Sequence, residues 1–128
     1  GDELYLLHAD GHMSTCSYSR LDTVPTRCED PAPLINTIPA YQDIDLFGQA
    51  HITQMILTSP PDSTLLLLDA DNRSVMRVSP RTLELQNQIA PMPGTSLKPG
   101  PAGAMATNTN RALFLAVDDQ VYFATDMP

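Results

Sequence analysis

Apolar residues along the chain fall in short strings bounded by turn formers, and almost nowhere at the spacing of an amphipathic helix. Leu4-Tyr5-Leu6-Leu7 and Leu65-Leu66-Leu67-Leu68 are the clearest strings. Runs of this length, flanked by Gly, Asn, Asp and Pro, fit buried strands better than helices. Three stretches share one grammar of apolar run, polar turn and second strand: Leu4 to Cys16, Leu65 to Val78, and Leu113 to Ala124. Each is a predicted hairpin. Asp10-Gly11 supplies the positive-φ position of a tight turn, and Asp71-Asn72 and Asp118-Asp119 tolerate such backbone at modest cost. In the second strand of the middle hairpin Val75, Arg77 and Ser79 point one way and Met76 and Val78 the other, so the first strand is expected to be the more buried one.

Further strands flank these hairpins. Ile52 to Thr58 precedes the turn Ser59-Pro60-Pro61-Asp62-Ser63, and Leu83 to Ile89 follows Ser79-Pro80-Arg81-Thr82. Ala102 to Thr107 precedes Asn108-Thr109-Asn110-Arg111. The middle unit, Ile52 to Ala90, thus reads as four antiparallel strands in about forty residues, the size of one propeller blade. The expected architecture is all-β: a partial β-propeller of about two and a half to three four-stranded antiparallel blades, with blade-like units at 1–36, 50–91 and 101–128 of a single domain.

The stretch from Ser59-Pro60-Pro61-Asp62-Ser63 through Leu65 to Asp69, then Asn72-Arg73-Ser74-Val75-Met76-Arg77-Val78-Ser79-Pro80 and on to Leu85, resembles a blade of the NHL, YVTN or TolB-like β-propellers. The likeness covers the middle unit well and the first and last in part. It leaves Ala32 to Gln49 and Pro91 to Pro101 unmatched, and it lacks the usual Gly at position 63 and most of the usual aromatics. The stretch from Gln120 to Pro128 is similar to C-terminal regions of uncharacterised bacterial proteins that look membrane-anchored, a likeness that implies no activity. Fewer than three complete blades cannot close a ring of about four or more. The chain is therefore expected to be the C-terminal piece of a larger propeller, or a small open array whose edges, at Leu4 to Leu7 and Val121 to Ala124, recruit other strands.

Composition narrows the partners. The 128 residues carry 7 Lys+Arg against 15 Asp+Glu, a formal net charge of -8, so nucleic acid and anionic lipid are poor partners for the chain as a whole. No apolar run approaches the ~18 to 20 residues of a membrane span, so no direct membrane insertion is expected. The opening Gly1-Asp2-Glu3-Leu4-Tyr5 lacks a basic n-region and an apolar core, so any secretion signal is expected to have been removed or to lie outside this sequence. The expected partners are proteins: missing propeller blades, or further copies joined through strand edges.

Cys16 and Cys28 are the only cysteines, and the stretch between them can fold back as a hairpin. Across neighbouring strands they would form one disulfide, worth ~2 to 3 kcal/mol, and its oxidation would imply an extracytoplasmic compartment. The alternative is two buried thiols acting as small apolar side chains. His8, His12 and Cys16 are spaced four apart, which on a helix would align three metal ligands, but Asp10-Gly11 turns the chain between the histidines. Asp69-Ala70-Asp71-Asn72 looks like the opening of a calcium loop, yet Arg73 stands where an oxygen ligand belongs and no Glu closes the set. It reads as a turn whose acids cap backbone amides, and Asp118-Asp119 likewise. His51 precedes a strand with no identifiable acid or nucleophile partner, and neither a Gly-x-Ser-x-Gly elbow nor a Gly-rich phosphate loop is present. The sequence therefore names no catalytic residue, no cofactor and no metal.

Three functions fit. The first is a non-catalytic propeller-type interaction or ligand-sensing module of a bacterial envelope protein. The second is a fragment of a propeller enzyme of the calcium-assisted lactonase or quinone-dependent dehydrogenase type. The third is a structural protein assembling by edge pairing. The missing catalytic motifs and the acidic composition favour the first.

Overall fold

The computed structural model describes residues 2–21, 23–43, 45–108 and 112–126, with backbone alone at Asp2 and Asp126. The expected turn residues Thr109, Asn110 and Arg111 lie outside the described residues. The protein is all-β: among the described residues, eleven strands, one four-residue helix at Leu46–Gln49 (α1) and a 3-10 turn at Pro39–Tyr41 make up the regular structure. It divides into two compact units, Gly1–Ile35 and Asn36–Pro128.

The first unit is a small sheet of four strands, β1 (Asp2–Leu7), β2 (His12–Tyr18), β3 (Arg27–Cys28) and β4 (Ala32–Pro33). β1 and β2 form the predicted hairpin, in register from Asp2↔Tyr18 to Leu7↔Met13. Gly11, at φ 87, takes the left-handed turn position. The far edge of β2 is shared by β3 and β4, each two residues long. β1 is an open edge, as expected for Leu4 to Leu7.

The second unit holds one seven-stranded sheet in the order β5-β6-β7-β8-β11-β10-β9. Its strands are β5 (Ile52–Leu57), β6 (Leu65–Asp69), β7 (Ser74–Val78), β8 (Leu85–Pro91), β9 (Ala102–Thr107), β10 (Leu113–Val117) and β11 (Gln120–Asp126). β5 to β8 form the antiparallel four-strand meander read from the sequence, and β9 to β11 a three-strand meander. The fourth strand begins at Leu85 instead of Leu83, because Leu83 takes a left-handed turn position at φ 61 and donates its N–H to Ser79 O. Arg73 (φ 52) and Asp118 (φ 54) take left-handed positions in the β6–β7 and β10–β11 turns.

The middle and last hairpins were expected in successive sheets. They share one, because β11 pairs antiparallel with β8 through Ala124↔Pro91, Thr125↔Ala90 and Asp126↔Ile89. The sheet curls until it is nearly closed and barrel-like. Leu66, Leu68, Val75 and Ile89 from the first meander and Ala102, Met105, Leu113, Leu115, Val117 and Ala124 from the second fill one core. Of the edge expected at Val121 to Ala124, Ala124 is paired on both sides, with Leu113 of β10 and Pro91 of β8, while Val121 to Phe123 have ladder partners on β10 alone; the strands at the two ends of the order are β5 and β9.

Alternation fixes which side chains point inward. Along β10, Leu113, Leu115 and Val117 are buried while Phe114 and Ala116 face out, and Phe114 meets Phe123 edge-on with centroids 5.8 Å apart. On β6 all of Leu65–Asp69 is buried, so that strand is covered on both faces, whereas Val121 is 69% and Phe123 49% exposed.

Truncating the inward-facing Leu115 to Ala is expected to cost about 2–5 kcal/mol in urea unfolding. Val121→Thr, on the outer face, is expected to change stability by less than about 0.5 kcal/mol.

Candidate functional site

Cys16 and Cys28 stand directly opposite in the β2–β3 ladder and are joined as a disulfide, sulfurs 2.08 Å and Cα atoms 4.0 Å apart. Cys16 is 1% exposed, while every described residue from Thr23 to Pro31 is exposed. The bond thus ties a solvated loop to the core side of β2, the disulfide alternative for this pair rather than two buried thiols. It is compatible with an oxidising, extracytoplasmic location.

At the β1–β2 turn the two histidines part company. His8 Nε2 lies 2.7 Å from Ser14 Oγ, and His12 donates its backbone N–H to Asp10 Oδ1 at 3.0 Å. Nδ1 of His12 stands 3.2 Å from the same carboxylate, out of line for a hydrogen bond. The bond from the His12 backbone holds the Asp10 carboxyl below its ordinary value of 3.8, reinforced by the His12 imidazole. Among the described residues no three His, Cys, Asp or Glu side chains converge as metal ligands. The sulfur of Cys16 is already committed to Cys28.

His51 is not alone. The antiparallel β5–β6 pairing, Ile52 opposite Asp69, brings it against the 69–72 turn, with Nδ1 3.3 Å from Asp71 Oδ1 and its backbone N–H donated to Asp69 Oδ1 at 3.1 Å. Asp69 is 4% exposed and also accepts from Asn72 Nδ2 at 2.7 Å. This carboxylate caps backbone and side-chain donors, as the turn reading expects. Ala70 completes the corner: its N–H goes to His51 O at 3.0 Å and its carbonyl accepts from Ala102 N at 2.9 Å. Strands β5, β6 and β9 are thus pinned at one point. Asp118 and Asp119 are exposed turn residues, Asp119 Oδ1 lying 3.8 Å from Lys98 Nζ. The Pro-rich 91–101 connection is held down as well, through Arg73 Nη1 to Lys98 O at 3.1 Å and Lys98 N to Tyr122 Oη at 3.0 Å.

The other end of the sheet is open. Here a cavity of about 430 Å³ is lined by Thr58, Thr64, Thr107, Gln86, Asp62 and Arg77 above an apolar floor of Leu66, Ile89 and Leu113. The inward direction of Arg77 follows from its register, since it sits opposite the core residue Leu66. A second cavity, about 210 Å³, lies beside it between the ends of β5 and β9, lined by Ile56 to Pro60 and by Thr107 and Asn108. The Pro60–Pro61 peptide in this rim is cis, and Thr58 Oγ1 accepts the N–H of Thr64 at 2.8 Å to close the loop. Hydroxyl, amide and one charge of each sign over an apolar floor suit a small polar ligand of no net charge.

Sequence reading missed one further residue. Gln54 on β5 points inward, and its side-chain amide donates from Nε2 to Met105 O at 3.0 Å and accepts from Met105 N at 2.9 Å. It pairs with β9 as a peptide group of a neighbouring strand would. The available signal was an amide side chain at an inward position of a strand. No protein-family profile, curated protein or solved structure matches this chain.

Two outcomes follow from the first unit. Thiol titration of the oxidised protein should find no free thiol until it is reduced, and reduction should destabilise the unit by about 3 kcal/mol. The Asp10 carboxyl should titrate below 3.8 in an NMR pH series. Because its folded value is depressed, its support of the turn is present above the unfolded value and is lost as pH falls through the folded one.

Proposed function

We propose that this protein is a non-catalytic binding module of an extracytoplasmic bacterial envelope protein, which takes a small polar ligand of no net charge at the open end of its larger sheet. The observation that carries this reading is the 430 Å³ cavity, with Thr58, Thr64, Thr107 and Gln86 spaced around Leu66, Ile89 and Leu113. Mouths of curled sheets are common ligand positions, because the scaffold fixes the rim while the loops vary. The opposed charges of Asp62 and Arg77 disfavour a strongly ionic occupant. The disulfide supports the oxidising compartment. The four-strand and three-strand meanders are read as blade-derived units of the NHL, YVTN or TolB-like kind, supported by their consecutive antiparallel pairing and by a left-handed residue in the turn of each hairpin, Arg73 and Asp118.

An amide-shift survey of the labelled protein against neutral mono- and disaccharides, polyols and free amino acids tests the reading. At least one class should move Thr64, Gln86 and Thr107 together and saturate. Thr107→Val, which keeps shape and removes the hydroxyl, should weaken that ligand about tenfold. A survey that moves nothing at the mouth, or moves another surface, sinks the proposal.

A further inference from the structure

We propose that the gap between β5 and β9 is a strand-acceptor site, which takes one extended, uncharged segment of another polypeptide, running antiparallel to both edge strands. This inference does not depend on the small-ligand reading. It starts from direction. Every neighbouring pair in the order β5-β6-β7-β8-β11-β10-β9 is antiparallel, so the two end strands of the seven run the same way. Direct closure would need a parallel ladder, the slightly weaker kind, in an otherwise antiparallel sheet. One additional strand running the other way is antiparallel to both edges and completes the barrel.

The local chemistry supports that occupant. The two edges are tied at the Ala70 corner, through Ala102 N to Ala70 O, and diverge toward the 210 Å³ cavity that separates Ile56 to Pro60 from Thr107 and Asn108. Midway, the Gln54 amide already plays the part of the missing strand, satisfying both the N–H and the carbonyl of Met105. A carboxamide is the side-chain group closest to a peptide unit, so its pair of hydrogen bonds to Met105 marks where a peptide group fits. Neither edge carries a charge: β5 reads ITQMIL and β9 AGAMAT. Natural free edges are commonly guarded by Lys, Pro or inward charges, and such guards are lacking within these two strands. An uncharged segment is the complementary partner, with apolar residues alternating toward Ile56 and Leu66 and the others lying beside the exposed Gly103, Ala104 and Ala106.

A second copy of the chain does not fit the slot. The occupant needs both of its edges free, and every described strand of this protein has at least one ladder partner already. The occupant is therefore a segment without a sheet of its own, about six residues long to match the edges, bound by strand addition.

The test uses the full labelled chain and, as probe, an acetylated and amidated seven-residue peptide of alternating Thr and Val. Saturable amide shifts are expected along 52–57 and 102–107, with new exchange protection on both strands. Gln54→Met keeps the side-chain length but releases Met105, and should tighten the probe about tenfold. Leu57→Lys combined with Ala106→Lys, both at exposed positions, should abolish binding while leaving the fold's amide spectrum intact. That pair decides the matter even if the Gln54 variant does not fold. Absence of binding at millimolar peptide, shifts confined to β1, or protection of β5 and β9 that depends on protein concentration alone would each overturn the proposal. The last outcome would assign the slot to self-association.

Discussion

Three residue pairs between β8 and β11 hold the larger sheet together. Each meander alone would expose one apolar face to water, and neither has enough layers to bury it. Joined through this ladder, they curl until Leu68 and Val75 of one share a core with Leu115 and Val117 of the other. Burial supplies the driving force, and the ladder supplies the register. Because side chains alternate with period two, a one-residue slip at Ala124↔Pro91 would turn Ala124 and Tyr122 away from the core. The rest of the unit, including the placement of its cavities, follows from that short pairing.

The two ends of the curled sheet do different things. At one, Ala70 bonds to both His51 and Ala102, while the buried Asp69 carboxylate satisfies His51 N and Asn72. That end is dense with hydrogen bonds and leaves few backbone groups wanting. At the other, the turn around Pro60 and Pro61 stands apart from Thr107, and the inner face becomes accessible beside Arg77 and Gln86. Rigid closure at the first end lets the second remain open without loosening the core between them.

Much of this was legible in the sequence, for identifiable reasons. The apolar strings at 65–68 and 113–117 and the Asp-rich turns after them mark hairpins through local chemistry alone, and the four-strand meander follows from its turn residues. The Cys16–Cys28 bond follows the same local logic, since two cysteines a hairpin apart have few other uses than to pair across it. What stayed hidden is non-local. β8 and β11 are neighbours in space but not in order, and no periodicity encodes which strands of two meanders will meet. Gln54 and Met105 lie 51 residues apart on the two end strands, so their contact depends on the curl, whereas His51 meets Asp71 through the β5–β6 pairing of the predicted meander. The two-residue strands β3 and β4 carry no pattern to read, since their pairing is imposed by β2.

The position of β11 between β8 and β10 also bears on how the unfolded chain behaves. Gln120 to Thr125 is a six-residue run of Gln, Val, Tyr, Phe, Ala and Thr, rich in β-formers, uncharged and free of Pro. Such segments stack into cross-β assemblies when left unpaired. In the folded protein its backbone is engaged on one side by β10 and partly on the other by β8, and in sequence it is bracketed by Asp118, Asp119 and Asp126. Those carboxylates are gatekeepers: a stacked array would set rows of like charge beside one another, and the repulsion would oppose growth at both ends of the segment. The acidic turn that shapes the last hairpin thereby also guards the chain against fibril formation before the hairpin has found its neighbours.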